Sequence, residues 1–118
     1  MLDSKDTAKR IIELAQEKKG KQIVRMDISE ISSFADYFVI ITGESTTQIK
    51  AITDHIDNEL RLQNVYPVSK EGYQNLRWVL MDYSDVIVHL FDHESREFYA
   101  IERLWADAKM EFISEEEE

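Results

Sequence analysis

Two aspartates, Asp82 and Asp85, stand three residues apart within a run of apolar and β-branched residues. Carboxylates held side by side can bind a metal ion, and they can also accept a Lys or Arg from another protein. Like charges directly opposite each other on two strands repel, so a bound cation would relieve the repulsion. A third interpretation is a solvated hairpin end in which Asp82 supports the turn. The sequence alone leaves these three interpretations open.

A glycine–serine turn, Gly43-Glu44-Ser45, follows a predicted buried strand. Together with paired aspartates, such a turn is typical of nucleotidyltransferases, whose acids must be spaced to share two metal ions. No third acid is evident near Asp82 and Asp85, and the glutamate in the turn would repel phosphate. We therefore favour a strand-to-helix turn capped by Ser45 and keep metal-dependent nucleotidyl transfer as an alternative.

A histidine and a tryptophan, His89 and Trp78, are predicted to share one strand face. His89 could act as a base, but the chain has no cysteine and no serine is evident beside it. Tryptophan at the centre of an apolar patch is among the commonest hot spots of protein interfaces. These residues favour a recognition surface over catalysis, with burial of Trp78 in the core as the competing interpretation.

A β-hairpin should position these side chains. Residues 78–91 are typical of two strands joined by a two-residue turn at Tyr83-Ser84. Antiparallel pairing about that turn places Asp82 opposite Asp85, Leu80 opposite Ile87, Trp78 opposite His89, and Leu76 opposite Phe91, all on one face. The other face carries Arg77, Val79, Met81, Val86, Val88 and Leu90. Both faces are largely apolar, so both must be covered.

The N-terminal part predicts a helix followed by a strand. The helix should begin at Asp3 or Ser4 and end near Lys19. Gly20 then suits the C′ position, where a left-handed residue commonly ends a helix. Alternating side chains at 23–28 predict the strand.

The run at 37–41 is continuously β-branched or aromatic and predicts a central strand buried on both faces. Ser45 and Gln48 have capping-box spacing, so a second helix should begin there and cross over to a parallel strand. Its buried stripe should be Ile49, Ile52, Ile56 and Leu60. The remaining predicted elements are an edge strand at 65–68, a loop at 70–72, and a last helix after Asp92 with Phe98, Ile101, Trp105 and Ala108 on one face.

Composition limits the classes of function. The chain has 118 residues, 43% of them hydrophobic, which is typical of one globular domain. Its formal net charge of −10 argues against nucleic-acid binding as the main activity, because that binding needs clustered basic residues. A basic protein partner is favoured instead. No apolar run is long enough for a membrane span and no signal-peptide pattern is evident, so we expect a cytoplasmic protein.

Four linked motifs run in order along nearly the whole chain. They are Asp36-Tyr37-Phe38-Val39-Ile40 with Thr42-Gly43-x-Ser45, Glu71-Gly72-Tyr73, Trp78-Val79-Leu80-x-Asp82-Tyr83-x-Asp85-Val86-x-Val88-His89, and Arg96-Glu97-x-Tyr99-x-x-Glu102-x-Leu104-Trp105. In residue types and spacing they resemble the ribosomal silencing factor (RsfS, Iojap-like) family. Three positions depart from the family's pattern. Ser84 replaces a usual glycine, Leu76 stands where a small residue is common, and Glu44 lies in a turn that is often uncharged.

The resemblance implies a fold and a domain boundary. The family's fold is a small α/β (mixed α+β) domain, in which a mixed β-sheet is flanked by helices with nucleotidyltransferase-like topology. Residues 1–112 would form this single domain, and residues 113–118 an acidic C-terminal tail.

The resemblance also implies a partner and a mechanism. Family members bind a basic β-barrel ribosomal protein (L-fourteen family) on the subunit-joining face of the large ribosomal subunit. They sterically block small-subunit joining, tend to form homodimers when free, and have organellar relatives that act in large-subunit assembly. We therefore expect a translational repressor that is not an enzyme, with no cofactor, no metal and little direct RNA contact. A large-subunit assembly factor is the alternative.

The expected partner contact lies on the hairpin. The expected partner-binding residues are Trp78, Leu80, Asp82, Tyr83, Asp85, Ile87 and His89. Leu80 and Ile87 are included because they share the predicted hairpin face, and the others match motif positions of the family. An acidic, aromatic surface suits a basic ribosomal protein.

Overall fold

The chain forms one six-stranded mixed sheet with packed side chains on both faces. The structure is a computed structural model and describes residues 2–114. In chain order the elements are α1 (Ser4–Glu17), β1 (Lys21–Asp27), β2 (Tyr37–Thr42), α2 (Thr46–Arg61), β3 (Ser69–Glu71), β4 (Trp78–Asp82), β5 (Val86–Phe91), α3 (His93–Tyr99), α4 (Ile101–Leu104) and β6 (Lys109–Phe112). This confirms the predicted mixed α/β fold.

Strand β2 lies in the interior of the sheet, whose order is β3-β4-β5-β2-β1-β6. It pairs with β5 in parallel and with β1 in antiparallel orientation. Its residues from Phe38 to Thr42 are all buried, because helices or loops cover both faces. The predicted central strand and the crossover to a parallel strand are both confirmed.

One face of the sheet is covered by α1 and α2. The predicted stripe of α2, Ile49, Ile52, Ile56 and Leu60, is fully buried against this face. The sheet contributes alternate residues, including Val79 and Met81 of β4 and Val88 and Leu90 of β5. Burying each such aliphatic side chain contributes about 1.5–3 kcal/mol. This larger cluster forms the main core.

The opposite face is covered less completely. Its buried side chains are Val24, Met26, Ile28, Ala35, Phe38, Ile40, Phe91 and Ile101. Trp78, Ile87 and Trp105 pack against them but stay half-buried. The covering elements, α3 and α4, are short, and Phe98 and Leu104 on them are exposed. Apolar surface therefore remains accessible on this side of the sheet.

The two long helices begin with side-chain caps, as the sequence predicts. The Asp3 carboxylate accepts a hydrogen bond from the N–H of Asp6 at 2.8 Å. The Ser45 hydroxyl accepts one from the N–H of Gln48 at 3.0 Å, and the Gln48 side chain in turn accepts from the N–H of Glu44 at 2.6 Å. The bonds from Asp6 and Gln48 satisfy donors that the first turn of a helix leaves without partners, and the bond from Glu44 secures the residue before the cap.

The end of α1 differs from the prediction by one position. Lys19, and not Gly20, takes the left-handed conformation, with φ of 66°. The N–H of Gly20 donates to the Ala15 carbonyl at 2.8 Å, which places Gly20 at C″. A Cβ on Gly20 would stand 2.9 Å from Ile41 Cγ2. Glycine is needed here for close packing of α1 on β2 and not for its φ angle.

The predicted edge strand at 65–68 is wrong, and part of the predicted loop at 70–72 is strand. The edge strand β3 lies at Ser69–Glu71, where Lys70 pairs with Met81 of β4. The Lys70 ammonium also donates to Asp57 of α2 at 3.0 Å. Pairing with β4 and this contact with α2 decide where the strand forms, and neither is visible in local sequence.

The predicted last helix is broken, and β6 was not predicted. Ala100 takes a left-handed conformation with φ of 47°, which separates α3 from α4. Phe98 consequently points away from the core and is 79% exposed, whereas Ile101 is buried as predicted. Strand β6 pairs with β1, where Arg25 forms an ion pair with Glu111.

The predicted acidic run at 115–118 lies outside the described residues. Within residues 2–114, no helix is long and apolar enough to span a membrane.

Candidate functional site

The hairpin of β4 and β5 turns at Ser84-Asp85, so the predicted turn at Tyr83-Ser84 is wrong. The N–H of Tyr83 donates to the Val86 carbonyl at 2.9 Å, and Ser84 takes the left-handed φ of 71°. The Asp85 carbonyl accepts from the N–H groups of Asp36 at 2.8 Å and Tyr37 at 3.1 Å. These tertiary bonds hold Asp85 in the turn at the start of β5.

All four predicted cross-strand pairs are therefore wrong, by two residues. Asp82 lies opposite Ile87 and not Asp85, Leu80 opposite His89 and not Ile87, and Trp78 opposite Phe91 and not His89. Phe91 accordingly does not pair with Leu76. Because side chains alternate with a period of two, a shift of two residues keeps the side chains of β4 and β5 on their predicted faces. Leu76, which precedes β4, was predicted on the wrong face, since it packs against the main core under α1 and α2. Within the two strands, the face of each residue was therefore predicted correctly although the pairing was not.

The two aspartates do not face each other, which removes the repulsion argument. Asp82 is half-buried, and its carboxylate accepts the N–H of Ser84 at 2.8 Å, so it supports the turn. Asp85 is exposed at the hairpin tip. Among residues 2–114, no group of three or more His, Asp or Glu side chains could hold a metal ion. This geometry favours a solvated hairpin end over a shared metal.

Trp78 and His89 form a direct hydrogen bond across the strands. The Trp78 indole N–H donates to Nδ1 of His89 at 3.1 Å. His89 is only 4% exposed, and this burial lowers its pKa to about 4. The imidazole is therefore neutral near pH 7. Its second nitrogen, Nε2, is buried and has no hydrogen-bond partner among the described residues.

A row of seven rings, here called the aromatic row, crosses this face of the sheet. In order of contact it comprises Phe34, Trp105, Phe38, His89, Trp78, Tyr99 and Phe98. The closest centroids are those of Trp78 and Tyr99, at 4.4 Å. The two end members, Phe34 and Phe98, are 57% and 79% exposed. The row joins the buried centre of the face to apolar surface on both sides.

The seven predicted site residues occupy four environments. Trp78, Leu80, Asp82 and Ile87 lie together, half-buried, on one surface, which we call the hairpin face. Asp85 is exposed at its end and His89 is buried beneath it.

Tyr83 lies on the other side of the sheet, in the core under α1 and α2, and is 8% exposed. Burial, reinforced by the nearby Asp57 carboxylate, raises the pKa of its phenol. The structure thus brings together four of the predicted residues and separates Tyr83 from them.

A cavity of about 450 Å³ adjoins Trp78. Its lining includes Arg77, Glu94, Phe98 and Tyr99. Sequence reasoning did not assign Phe98 or Tyr99 to this site, because an unbroken helix would have buried Phe98 elsewhere. The adjacent aromatic pair Phe98-Tyr99, close in sequence to the hairpin, was the available signal.

The family model described as "Ribosomal silencing factor during starvation" matches residues 1–118. The chain belongs to this family. Two similar relatives are both ribosomal silencing factors. That of Halalkalibacterium halodurans is 37% identical over 82% of this chain and 83% of its own length. That of Bacillus subtilis is 34% identical over 92% of each chain.

Solved structures agree with the family assignment. A crystal structure of a Chromobacterium violaceum protein superposes with a TM-score of 0.87 and is 32% identical, covering 97% of this chain and 96% of that one. A more distant relative is the mouse protein named "Mitochondrial assembly of ribosomal large subunit protein 1". It is 26% identical over 80% of this chain, and the match spans 43% of the mouse protein.

Proposed function

We propose that this protein represses translation by binding the large ribosomal subunit and sterically blocking association with the small subunit. The contact would be a basic β-barrel ribosomal protein of the L-fourteen family on the subunit-joining face. The observation that carries the proposal is the hairpin face, on which Trp78 is half-buried beside other apolar side chains. The chain that carries this face is acidic and belongs to the ribosomal silencing factor family.

The hairpin face has the composition of an interface core with a charged rim. Trp78, Leu80 and Ile87 supply apolar area, and tryptophan is a frequent hot-spot residue. Asp82 and Asp85 lie at one end of this area. With a net charge of −10 for the whole chain, these acids favour a basic partner through charge complementarity.

Five of the seven site residues would touch the partner directly: Trp78, Leu80, Asp82, Asp85 and Ile87. Tyr83 and His89 are buried, so they would act from beneath the surface, by packing under the hairpin and by holding Trp78. Direct contact with RNA would be small, because the acids at the hairpin tip repel phosphate.

Steric exclusion follows from size. The folded chain measures 34 × 33 × 32 Å along its principal axes. A rigid body of this thickness, bound on the subunit-joining face, keeps the two subunit surfaces apart without any catalytic step. The expected cytoplasmic location belongs to the same proposal.

Homodimerisation of the free protein would use apolar surface that is covered on the ribosome. The hairpin face and the exposed Phe34 and Phe98 at the ends of the aromatic row are candidates. In this proposal the dimer competes with ribosome binding, so mutations of the hairpin face should weaken both.

Sedimentation with separated subunits tests the proposal. Purified protein is mixed with large and small subunits at magnesium concentrations that permit joining, and the gradient fractions are probed for the protein. Co-migration with the large subunit and fewer joined ribosomes are expected. Absence of the protein from large-subunit fractions would overturn the proposal.

Large-subunit assembly is the second candidate. It is favoured by the relationship to the mouse protein whose name describes assembly of the mitochondrial large subunit. An assembly factor would bind precursor particles and leave joining of mature subunits unchanged. The same gradients separate the two functions, because only the repressor lowers the joined fraction.

A further inference from the structure

The indole N–H of Trp78 has its acceptor inside the protein and not on the partner side. Trp78 pairs with Phe91 and His89 pairs with Leu80, so the bond between Trp78 and His89 runs diagonally between the strands. Indole is a donor only, and a partly buried indole N–H is normally bonded. Nδ1 of His89 meets this requirement at 3.1 Å.

The rings around Trp78 restrict the plane of its indole. Phe91 stacks on it with centroids 5.1 Å apart, and Tyr99 packs on it at 4.4 Å. Stacking does not by itself determine which edge of the indole points inward, because a ring turned over in the same plane keeps most of these contacts. The bond to His89 distinguishes the two orientations, since only one directs the N–H to an acceptor.

The position of His89 is in turn rigid. Its ring meets Phe38 edge-on at 4.9 Å and lies nearly parallel to Phe91, with an interplanar angle of 5°. Because Nδ1 accepts the indole N–H, the single proton of the neutral ring is on Nε2. None of the rings packed around it from β2, β4 and β5, namely Phe38, Trp78 and Phe91, carries a charge.

The Nε2–H group of His89 is a buried donor with no partner among the described residues. A buried donor without a partner lowers stability, and an apolar residue of similar size would avoid the loss. Histidine is therefore a poor choice for packing alone at this position. The group that an apolar residue cannot replace is the Nδ1 acceptor.

We propose that His89 is a positioning residue for Trp78 and not a contact residue. Its Nδ1 atom selects the indole edge that the hairpin face presents to the ribosomal partner. This inference rests on the proposed function, since it takes Trp78 as a binding residue. The bond itself can be tested without a ribosome.

Three variants test the inference. His89→Leu removes the acceptor and keeps an apolar side chain. His89→Asn keeps an acceptor near the place of Nδ1. Trp78→Phe keeps an aromatic ring and removes the donor. Each variant is examined by thermal unfolding, by the indole N–H signals in a proton–nitrogen correlation spectrum, and by affinity for purified large subunits. The signal of the other tryptophan is identified with Trp105→Phe.

We expect the Trp78 indole signal to move in His89→Leu and to return toward the wild-type position in His89→Asn. His89→Leu should stay folded with equal or higher thermal stability, yet bind large subunits on the order of tenfold more weakly, as expected for one lost hydrogen bond. His89→Asn should recover most of the affinity. In the Trp78→Phe background, His89→Leu should cause no further loss.

Opposite results separate the inference from the proposed function. An unmoved indole signal in His89→Leu would overturn the bond, whatever the affinity. Wild-type affinity in His89→Leu, or an equal loss in His89→Asn, would overturn the positioning role. A wild-type protein that does not bind large subunits would overturn the proposed function, and with it a role of His89 in binding. If His89→Leu does not fold, the affinity of Trp78→Phe is compared with that of the double variant Trp78→Phe/His89→Asn. A weaker affinity of the double variant would contradict the inference, because His89 should have no effect on binding once the indole N–H is gone.

Discussion

Gly72 lies directly against the backbone of Trp78. A Cβ on Gly72 would stand 2.0 Å from the Trp78 carbonyl oxygen, and φ of Gly72 is +80°. Only glycine adopts this conformation at little cost. The turn before β4 thus places the backbone of Trp78 by a contact that no other residue type permits.

Gly72→Ala should therefore destabilise the fold and displace the start of β4. We expect a loss of about 1–3 kcal/mol in the free energy of unfolding, from the positive φ and the clash together. Urea unfolding measures this loss. Gln74→Ala, an exposed substitution in the same turn, is the matched control and should change stability little. Equal stability of the two variants would contradict the contact.

Trp78→Ala should weaken large-subunit binding by about 2 kcal/mol or more, as hot-spot truncations do. Equilibrium binding to purified large subunits measures the effect. Tyr66→Ala removes an exposed ring that stacks with Arg61 of α2, on the other side of the sheet, and should bind normally. Normal affinity of a folded Trp78→Ala protein would place the interface elsewhere.

Asp85→Lys should slow association with the large subunit and reduce the dependence of association on salt. Asp85 is exposed, whereas Asp82 accepts a hydrogen bond from the turn, so Asp85 tests charge without breaking the hairpin. Stopped-flow association at several salt concentrations measures the effect. Glu44→Lys is the control. It makes the same change in net charge, but at the opposite end of the parallel strands β2 and β5, and it should have little effect on association. Similar rates for both variants would rule out a local role of Asp85.

Ser84→Gly should stabilise the hairpin. Ser84 has φ of 71°, a conformation that costs an L-residue about 1 kcal/mol and glycine very little. We expect a higher free energy of unfolding in urea by about 0.5–1 kcal/mol. Ser33 is also exposed but is not among the residues with positive φ, so Ser33→Gly should bring no gain. A loss of stability in Ser84→Gly would show that the turn is not left-handed at this residue.

Acidification should destabilise the protein through His89. Burial lowers the pKa of His89 from 6.5 to about 4, so the unfolded chain takes up this proton at higher pH than the folded chain does. The contribution of neutral His89 to the free energy of unfolding is fully present above about pH 6.5. It is lost as the pH falls toward 4, and the total loss is about 3 kcal/mol. Urea unfolding at a series of pH values measures the decline.

His89→Leu is the control for that pH series, because it removes the titrating group. Its stability should vary less than that of the wild type across the same window. Asp27, whose pKa is lowered by hydrogen bonds from the Ser29 hydroxyl and N–H, contributes only at lower pH. Parallel curves for wild type and His89→Leu would show that His89 is not the responsible group.

Several elements could be predicted from local pattern because the signal is periodic. The 3.6-residue spacing of Ile49, Ile52, Ile56 and Leu60 predicts the buried face of α2, and the run from Tyr37 predicts a central strand. The same alternation assigned the side chains of β4 and β5 to the correct faces, but it failed for Leu76, which precedes β4 and packs on the other side of the sheet. A slip of two residues preserves faces, so the error in register did not change which residues form the hairpin face.

The sequence by itself determined the mixed α/β fold, the family and the composition of the hairpin face, since these depend on residue types and short-range spacing. Tertiary structure decided the rest. Hydrogen bonds from Asp36 and Tyr37 to Asp85 set the hairpin turn, and the left-handed Ala100 divides the last helix. The bond between Trp78 and His89 likewise depends on strand pairing. Such contacts join residues distant in sequence, and their energies are settled only when the whole sheet is packed.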